Sequence, residues 1–179
     1  MRIISGVFKG RRITAPKKLP VRPTTDMAKE ALFNILNNQY YLNDISVLDL
    51  FSGTGNISYE FASRGTERIT AVDDNYGCIK FINETAESFD ISISTIKSDV
   101  FKYLEKSKQK YTIIFADPPY NFKLDAFSKI PDLVFQNQLI EQDGLLIVEH
   151  SKHTDLSNLE HYSHSKSYGG NMFSFFKNN

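Results

Sequence analysis

The sequence has a single cysteine, Cys78, in 179 residues, so no internal disulfide can form. A reducing cytoplasm suits such a chain. No apolar run approaches the length of a membrane span, and Met1-Arg2-Ile3-Ile4-Ser5-Gly6 lacks the apolar core of a secretory leader. Acids are missing from the first 25 residues, which carry Arg2, Lys9, Arg11, Arg12, Lys17, Lys18 and Arg22. With a formal net charge of zero, the rest of the chain holds fourteen basic and twenty-one acidic residues. A basic stretch on an acidic body suits the tracking of phosphates, and so of nucleic acid. Internal repeats and low-complexity segments are absent. So are two nucleotide fingerprints. After Gly53-Thr54-Gly55 the third glycine of a dinucleotide loop is replaced by Ile57 and Ser58, and no Gly-Lys-Ser/Thr follows. A pyrophosphate ligand is disfavoured.

What is present is an ordinary globular composition, 41% hydrophobic and 23% charged, at a length that suits one core. Arg2–Ser5 and Arg11–Thr14 read as a short hairpin, and Ala15 to Thr24 as a Pro/Lys-rich connector. A helix is expected from Met27 to Asn38, capped by Thr24, Thr25 or Asp26. Strands are expected at Ile45–Phe51, Arg68–Val72, Ile91–Ile96, Tyr111–Ala116 and Leu145–Val148. Helices alternate with them at Asn56–Arg64, around Ile79 to Phe89, at Val100–Lys106 and at Lys123–Gln138, the last interrupted at Pro131. An Asp143-Gly144 turn precedes the fifth strand, and two weaker strands lie near His161–Lys166 and Met172–Phe176. This alternation predicts an α/β fold with a mostly parallel sheet covered on both faces.

In such a sheet ligands bind at the carboxyl ends of the strands, near the switch point. The distinctive residues all fall there: Asp49 with Phe51, Ser52, Gly53, Thr54 and Gly55; Asp73 and Asp74; Asp99; and Asp117 to Tyr120. Glycines let the backbone approach a ligand closely, and Asp49 beside them suits a cationic ligand end. Asp73 is placed to take ribose hydroxyls, and Asp99 to accept from an exocyclic adenine amine. Together they fit an adenosine with a charged amino-acid tail, which is S-adenosylmethionine. Thr25 and Val100 complete the expected donor site.

The fourth strand stops abruptly in Asp117-Pro118-Pro119-Tyr120. Two prolines stiffen the backbone, and the turn presents a carboxylate, the Pro118 carbonyl and an aromatic face together. Such a set can accept the hydrogens of a planar amino group while Tyr120 stacks on its ring. Cys78 reads as a small core residue rather than a nucleophile. The pairs His150/His153 and His161/His164 have no cysteine partners and read as solvated loop residues rather than a zinc site. Phe173, Phe175 and Phe176 read as core.

Four stretches carry a family resemblance. They are Met1–Gly6 with Lys9-Gly10-Arg11; Arg22-Pro23-Thr24-Thr25-Asp26 leading to Glu30-Ala31-Leu32-Phe33-Asn34; Asp49–Gly55 with Glu60 and Ser63-Arg64-Gly65; and Asp117–Tyr120. Over its whole length the chain resembles the RsmD-type 16S ribosomal RNA guanine-N2 methyltransferases. The resemblance implies a Rossmann-like class I methyltransferase with seven strands, the last antiparallel. It divides the chain into a basic β-hairpin arm and connector, 1–24, and a methyltransferase domain, 25–179. It implies S-adenosylmethionine as donor, no metal, and 16S ribosomal RNA in an assembling small subunit as partner, met by a monomer through Arg2, Lys9, Arg11, Arg12 and Arg22. Asp73 stands where related chains often have Glu, and Tyr168-Gly169-Gly170-Asn171 matches the family pattern only loosely.

Two rivals remain open, an adenine-N6 methyltransferase and a catalytically silent module, while the acid at Asp117 disfavours a third. An adenine-N6 methyltransferase shares the proline turn and glycine loop but normally carries an added recognition segment, for which there is no room here. Protein glutamine methyltransferases present Asn at the Asp117 position. A catalytically silent ribosome-assembly module has no chemical need for Asp117.

Overall fold

The computed structural model describes residues 1–19 and 24–178, so Arg22 of the basic set lies outside the described residues. In chain order the elements are α1 (Asp26–Asn37), β1 (Ser46–Leu50), α2 (Asn56–Ser63), β2 (Arg68–Asp73), α3 (Tyr76–Ser88) and β3 (Ser94–Lys97). They continue with α4 (Val100–Lys106), β4 (Tyr111–Ala116), α5 (Leu124–Gln136), β5 (Ile140–Ser151), β6 (Tyr162–Tyr168) and β7 (Asn171–Phe176). The strands form one seven-stranded sheet in the order β3-β2-β1-β4-β5-β7-β6. Strands β1 to β5 run parallel, and β7 inserts antiparallel between β5 and β6. The order reverses between β1 and β4, which opens a crevice at their carboxyl ends.

Alternation along the central strands sorts side chains between two apolar layers. Val47, Ile113, Phe115 and Ile147 pack on the face covered by α1, α2 and α3. Leu48, Leu50, Ile114, Ala116 and Val148 pack on the face covered by α4 and α5. Phe173, Phe175 and Phe176 are fully buried, as expected.

The N-terminal segment is part of this unit. A single antiparallel bridge joins Arg2 to Arg12, flanked by Ile3 N–H to the Arg11 carbonyl and Ile13 N–H to the Met1 carbonyl, both 3.0 Å. Ile3 and Ile13 are buried in the α1–α3 layer. The Ile4 and Ser5 N–H groups donate to the Glu60 carboxylate at 2.9 and 3.0 Å, and Val7 N–H donates to the Ser63 carbonyl at 2.7 Å. Gly6 has φ +84°, and a Cβ there would lie 1.8 Å from the Ser63 carbonyl oxygen. Only glycine fits.

Several details depart from expectation. Helix α5 continues through Pro131, because Phe127, Ile130, Pro131 and Val134 stay packed and offset the one missing donor. Asp143-Gly144 is an irregularity inside β5 rather than a turn before it. Pairing with β4 jumps there from Tyr111↔Ile140 to Ile113↔Leu145, and a Cβ on Gly144 would sit 2.7 Å from the Thr112 carbonyl oxygen. Strand β3 starts three residues late, since Ile91 N–H closes α3 on the Ala86 carbonyl. The histidines are not solvated as a group. The extended β5 carries His150 into the interior, where its Nε2 lies 2.8 Å from Ser174 Oγ, and His161 and His164 stack on Phe135 and Phe175. Only His153 is exposed.

Candidate functional site

At the end of β1 the chain turns through Phe51, Gly53 and Gly55 with φ of 55°, 52° and 82°. Asp49, fully buried, points to the α2 side and accepts from Ser58 N–H at 3.2 Å and Ser58 Oγ–H at 2.6 Å. Burial lifts its carboxyl to about 7, with Asp73 adding and the Ser58 bonds opposing. Gly55 caps α2, and a Cβ there would come within 2.9 Å of the Tyr59 ring. It shapes the loop from behind and does not line the cavity in front of it.

Asp73, at the end of β2, ties the two strand ends together. Its Oδ2 accepts from Gly53 N–H at 2.8 Å, and its Oδ1 from Asn75 N–H at 2.9 Å. Each oxygen keeps a further lone pair for a ligand. Burial raises its pKa, and those two N–H bonds lower it. Asp74 is exposed at the rim. Asp99 caps α4 through Oδ1 and Lys102 N–H at 2.9 Å, and Asp99 and Val100 face the cavity together.

At the end of β4, Asp117 N–H reaches the Leu50 carbonyl at 3.4 Å, and Phe122 N–H closes the proline turn on the Pro119 carbonyl at 3.0 Å. The Asp117 carboxyl is pushed well above the usual range by burial, then by Glu149, then by Asp49. Tyr120 stands at the mouth, 48% exposed.

These strand ends surround one cavity of about 550 Å³, within the size range of small-molecule sites. Asp49, Phe51 to Thr54, Asp73, Asp74, Asp99, Val100 and Asp117 to Tyr120 all line it. Among the described residues five aspartates face it and no lysine, arginine or histidine does. The site therefore favours a cationic ligand and keeps phosphates outside. Thr25 is not in the lining; its side chain caps α1 by accepting from Ala28 N–H at 3.2 Å. The neighbour, Thr24, faces the cavity instead and donates from Oγ1 to Glu149 at 2.7 Å.

Sequence patterns did not single out Phe101 and Phe122. With Phe51 they form an aromatic wall, ring centroids 5.6–6.3 Å apart. Phe101 follows Asp99 by two residues and Phe122 follows Tyr120 by two; proximity to strand ends was the one available signal. Cys78 is buried as expected but also touches the cavity. Burial, then Asp73 and Asp74, push its thiol to about 11, so it stays protonated.

A buried polar network links this site to the N-terminal segment. Lys29 on α1 donates to the Arg2 carbonyl at 2.6 Å and to Asn56 Oδ1 at 2.8 Å, and Asn56 Nδ2 donates to the Thr24 carbonyl at 3.0 Å. Glu60 balances Lys29 at 3.5 Å and Arg64 at 2.9 Å. Burial lowers the Lys29 pKa, and Glu60 opposes that shift.

The basic residues do not form one patch. Arg2 pairs with Asp26 at 3.1 Å, two residues from the cavity-lining Thr24, and Arg12 is bridged beside it. The Arg11 guanidinium lies 5.1 and 5.0 Å from the ring centroids of Phe8 and Phe89, which stack on each other at 5.2 Å. Phe89 ends α3, a helix of 13 residues whose other end meets the cavity. Arg11 therefore stands about 20 Å from the site. Lys9 is exposed on the same far side. Among the described residues no His/Cys/Asp/Glu group could hold a metal, and no helix is long and apolar enough to cross a membrane.

Known proteins share this architecture. The structure of the Escherichia coli protein yhhF superimposes with a TM-score of 0.86 at 22% identity, over 100% of this chain and 99% of that one. The T. thermophilus 16S rRNA N2 G1207 methyltransferase, solved with AdoMet and guanosine, superimposes with a TM-score of 0.70 at 18% identity, over 90% of this chain and 45% of that one. By sequence, the ribosomal RNA small subunit methyltransferase D of Buchnera aphidicola is 30% identical over 150 residues, 83% of this chain and 75% of its own. A family model described as Conserved hypothetical protein 95 matches residues 1–177, and the chain belongs to that family, the RsmD family.

Proposed function

We propose that this protein transfers a methyl group from S-adenosylmethionine to the exocyclic N2 amine of a guanine in 16S ribosomal RNA. One observation carries the reading: the Asp117–Tyr120 turn and the Phe51–Thr54 loop open into the same aspartate-lined cavity at the switch point of the sheet. The name of the Buchnera relative supports ribosomal RNA of the small subunit as the substrate class. The N2 position is supported by the carboxylate of the turn and by the name of the T. thermophilus neighbour, an N2 methyltransferase of 16S rRNA.

The residues present fit the donor. Ser52 Oγ is buried beside the cavity without a hydrogen-bond partner among the described residues, an orphan that a ligand carboxylate or amine can satisfy. Asp73 offers its remaining lone pairs to a ribose, and the Phe51–Phe101–Phe122 wall with Asp99 suits an adenine. Asp49 supplies negative charge toward the amino-acid end. The bound donor supplies an electrophilic methyl on a sulfonium; everything else is positioning by this chain. Tyr120 stacks on a base swung out of its helix, which an unpaired nucleotide allows at least cost. Asp117 and the Pro118 carbonyl accept the two amino hydrogens and aim the nitrogen lone pair along the line of attack. Asp117 also meets the positive charge that develops on nitrogen. RNA phosphates stay outside the cavity, where the exposed Arg2 and Arg12 are available to them. A monomer acting on an assembling subunit is consistent with an open, rim-accessible site.

Transfer of labelled methyl to undermodified small subunits, with nucleoside mass spectrometry of the product, tests this reading. N2-methylguanosine is expected. N6-methyladenosine, or no modified nucleoside, overturns it.

A further inference from the structure

Among the described residues, the large apolar side chains left exposed are Val7, Met27, Tyr41, Tyr76, Tyr120 and Leu124. Four of them belong to the edge of the sheet that holds the cavity. Tyr76 opens α3 directly after the cavity-lining Asn75, and Met27 stands in the first turn of α1, three residues after the lining Thr24. Tyr120 is at the mouth itself, and Leu124 opens α5 two residues after the lining Phe122. Met27, Tyr76 and Leu124 take no part in either apolar layer. Helices α1 and α3 cover one face of the sheet and α5 the other, so the mouth is framed from both sides. Single apolar side chains in water are ordinary, but several gathered about one ligand mouth mark a contact surface.

Tyr76 is the best placed of them. It is 66% exposed, and its ring stands outside the cavity that Asn75 and Cys78, on either side of it in sequence, help to line. Its backbone is anchored from below. Asn75 caps α3 by accepting from Cys78 N–H at 3.2 Å, and Asp73 accepts from Asn75 N–H at 2.9 Å. A platform held in this way loses little freedom when a ligand settles on it. The exposed Asp74 beside it repels phosphate, so a neutral, flat group suits the spot better than a nucleic-acid backbone does. Cations stand near by for the phosphates. Lys123 precedes Leu124 and is exposed, and Lys80, one turn along α3 from Tyr76, pairs only loosely with Glu84 at 3.7 Å.

We propose that Tyr76 is a stacking platform for an unpaired base next to the target nucleotide. The proposal rests on the methyltransferase reading above and adds to it the form of the substrate: a strand unpaired beside the target as well as at it. The neighbours of a base drawn into the cavity leave by this mouth and lie across this rim. Stacking on a tyrosine ring tolerates any sequence, because every base has a π-face. The platform thus selects single-stranded RNA without choosing its bases, and the ring rather than the hydroxyl does the work.

Tyr76→Ala should raise KM for undermodified small subunits by about tenfold, with calorimetric donor affinity and melting temperature unmoved. Tyr76→Phe keeps the ring and should restore KM. Tyr41 is still more exposed, at 83%, but it precedes β1 at the opposite edge, where its neighbour Tyr40 donates to the Asp143 carbonyl. Tyr41→Ala should therefore leave KM in place. Binding of the same variants to undermodified subunits and to protein-free 16S RNA, with S-adenosylhomocysteine in the site, repeats the comparison without catalysis. An unmoved KM in Tyr76→Ala, or a fall in kcat alone, overturns the proposal. So does a loss of donor affinity, which would draw the ring into the donor site. A binding loss seen with the particle and not with RNA alone makes the rim a protein-docking surface and also overturns it. Duplex RNA should bind wild type and Tyr76→Ala alike, and an equal loss on duplex and unpaired RNA overturns the preference for a single strand. A wild type that makes no methylguanosine overturns the methyltransferase reading, while the binding of unpaired RNA still decides whether Tyr76 holds a base.

Discussion

The Asp73 carboxylate holds the Gly53 N–H at 2.8 Å, so the end of β2 fixes the loop that ends β1. One side chain thus shapes the glycine turn and lends its remaining lone pairs to the cavity. Asp73→Ala should therefore weaken donor binding by about 1–3 kcal/mol, the cost of unpaired hydroxyl and amide partners. Asp74→Ala, at the exposed rim, should change it little. Titration calorimetry of both variants checks the assignment, and the reverse ranking would move the ribose site to Asp74.

Asp49 gives the donor site a pH dependence. Its carboxyl is raised to about 7, so near neutrality it is only partly ionised. A cationic ligand end favours the carboxylate, so binding should release a proton and affinity should rise with pH from about 6 to 8. Asp49→Asn should flatten that dependence. The stability sign is opposite. A folded pKa above the unfolded 3.8 means the folded state holds the proton longer. Stability from this group is then full below about 4 and falls as pH rises toward 7, with Asp73 and Asp117 acting in the same direction. Melting curves without donor, which should shift downward across that range, provide the check.

How much of this was legible beforehand differs by element. β4 and α4 were readable to the residue, because their apolar runs are bounded by Asp-Pro-Pro and by a capping Asp99. The placement of acids at strand ends was readable because parallel sheets leave few other places for them. Pro131 misled because local breaking rules ignore the packing that holds α5 on the sheet. His150 misled because β5 runs to Ser151, three residues past its strongest apolar stretch. Thr24 and Thr25 are adjacent, and only the direction of the chain entering α1 decides which one caps and which faces the cavity. Glu149 carried no local pattern at all. Its effect on Asp117 comes through register with β4, a long-range fact.

The N-terminal segment offers a stability contrast. Gly6→Ala meets both a positive φ and the Ser63 carbonyl at 1.8 Å. It should cost several kcal/mol and unhook the segment from α2. Gly10→Ala has the same φ of +84° but nothing within 4 Å, so it should cost about 1 kcal/mol. Thermal melts of the two variants side by side test the account.

The split basic residues predict separable effects on RNA. Arg2→Ala with Arg12→Ala should weaken RNA binding and reduce the salt slope by about one per lost phosphate contact. Donor affinity should stay the same. Arg11→Ala should instead lower stability through its lost cation–π contacts with Phe8 and Phe89, by about 1 kcal/mol. An RNA salt slope that changes only with Arg11 would place the nucleic acid on the far side of the molecule.

Asp117 should be needed for methyl transfer and not for donor binding. Its carboxyl sits on the proline turn, while Phe51 to Thr54, Asp73 and Asp99 belong to other strand ends of the same cavity. Asp117→Ala removes a charge-assisted acceptor, the stronger kind of hydrogen bond. A positioned electrostatic partner of this kind is worth about 10²–10³ in rate. Asp117→Asn keeps the shape of an acceptor but loses the charge that takes up the proton, so it should fall between wild type and Ala. Tyr120→Ala should slow transfer through lost stacking of about 1–3 kcal/mol, at the mouth where the ring is 48% exposed. Single-turnover methylation of undermodified subunits, read beside calorimetric donor affinity, separates the two roles. Equal loss of donor affinity and rate in Asp117→Ala would make it a binding residue. Undiminished turnover would remove the proline turn from the chemistry.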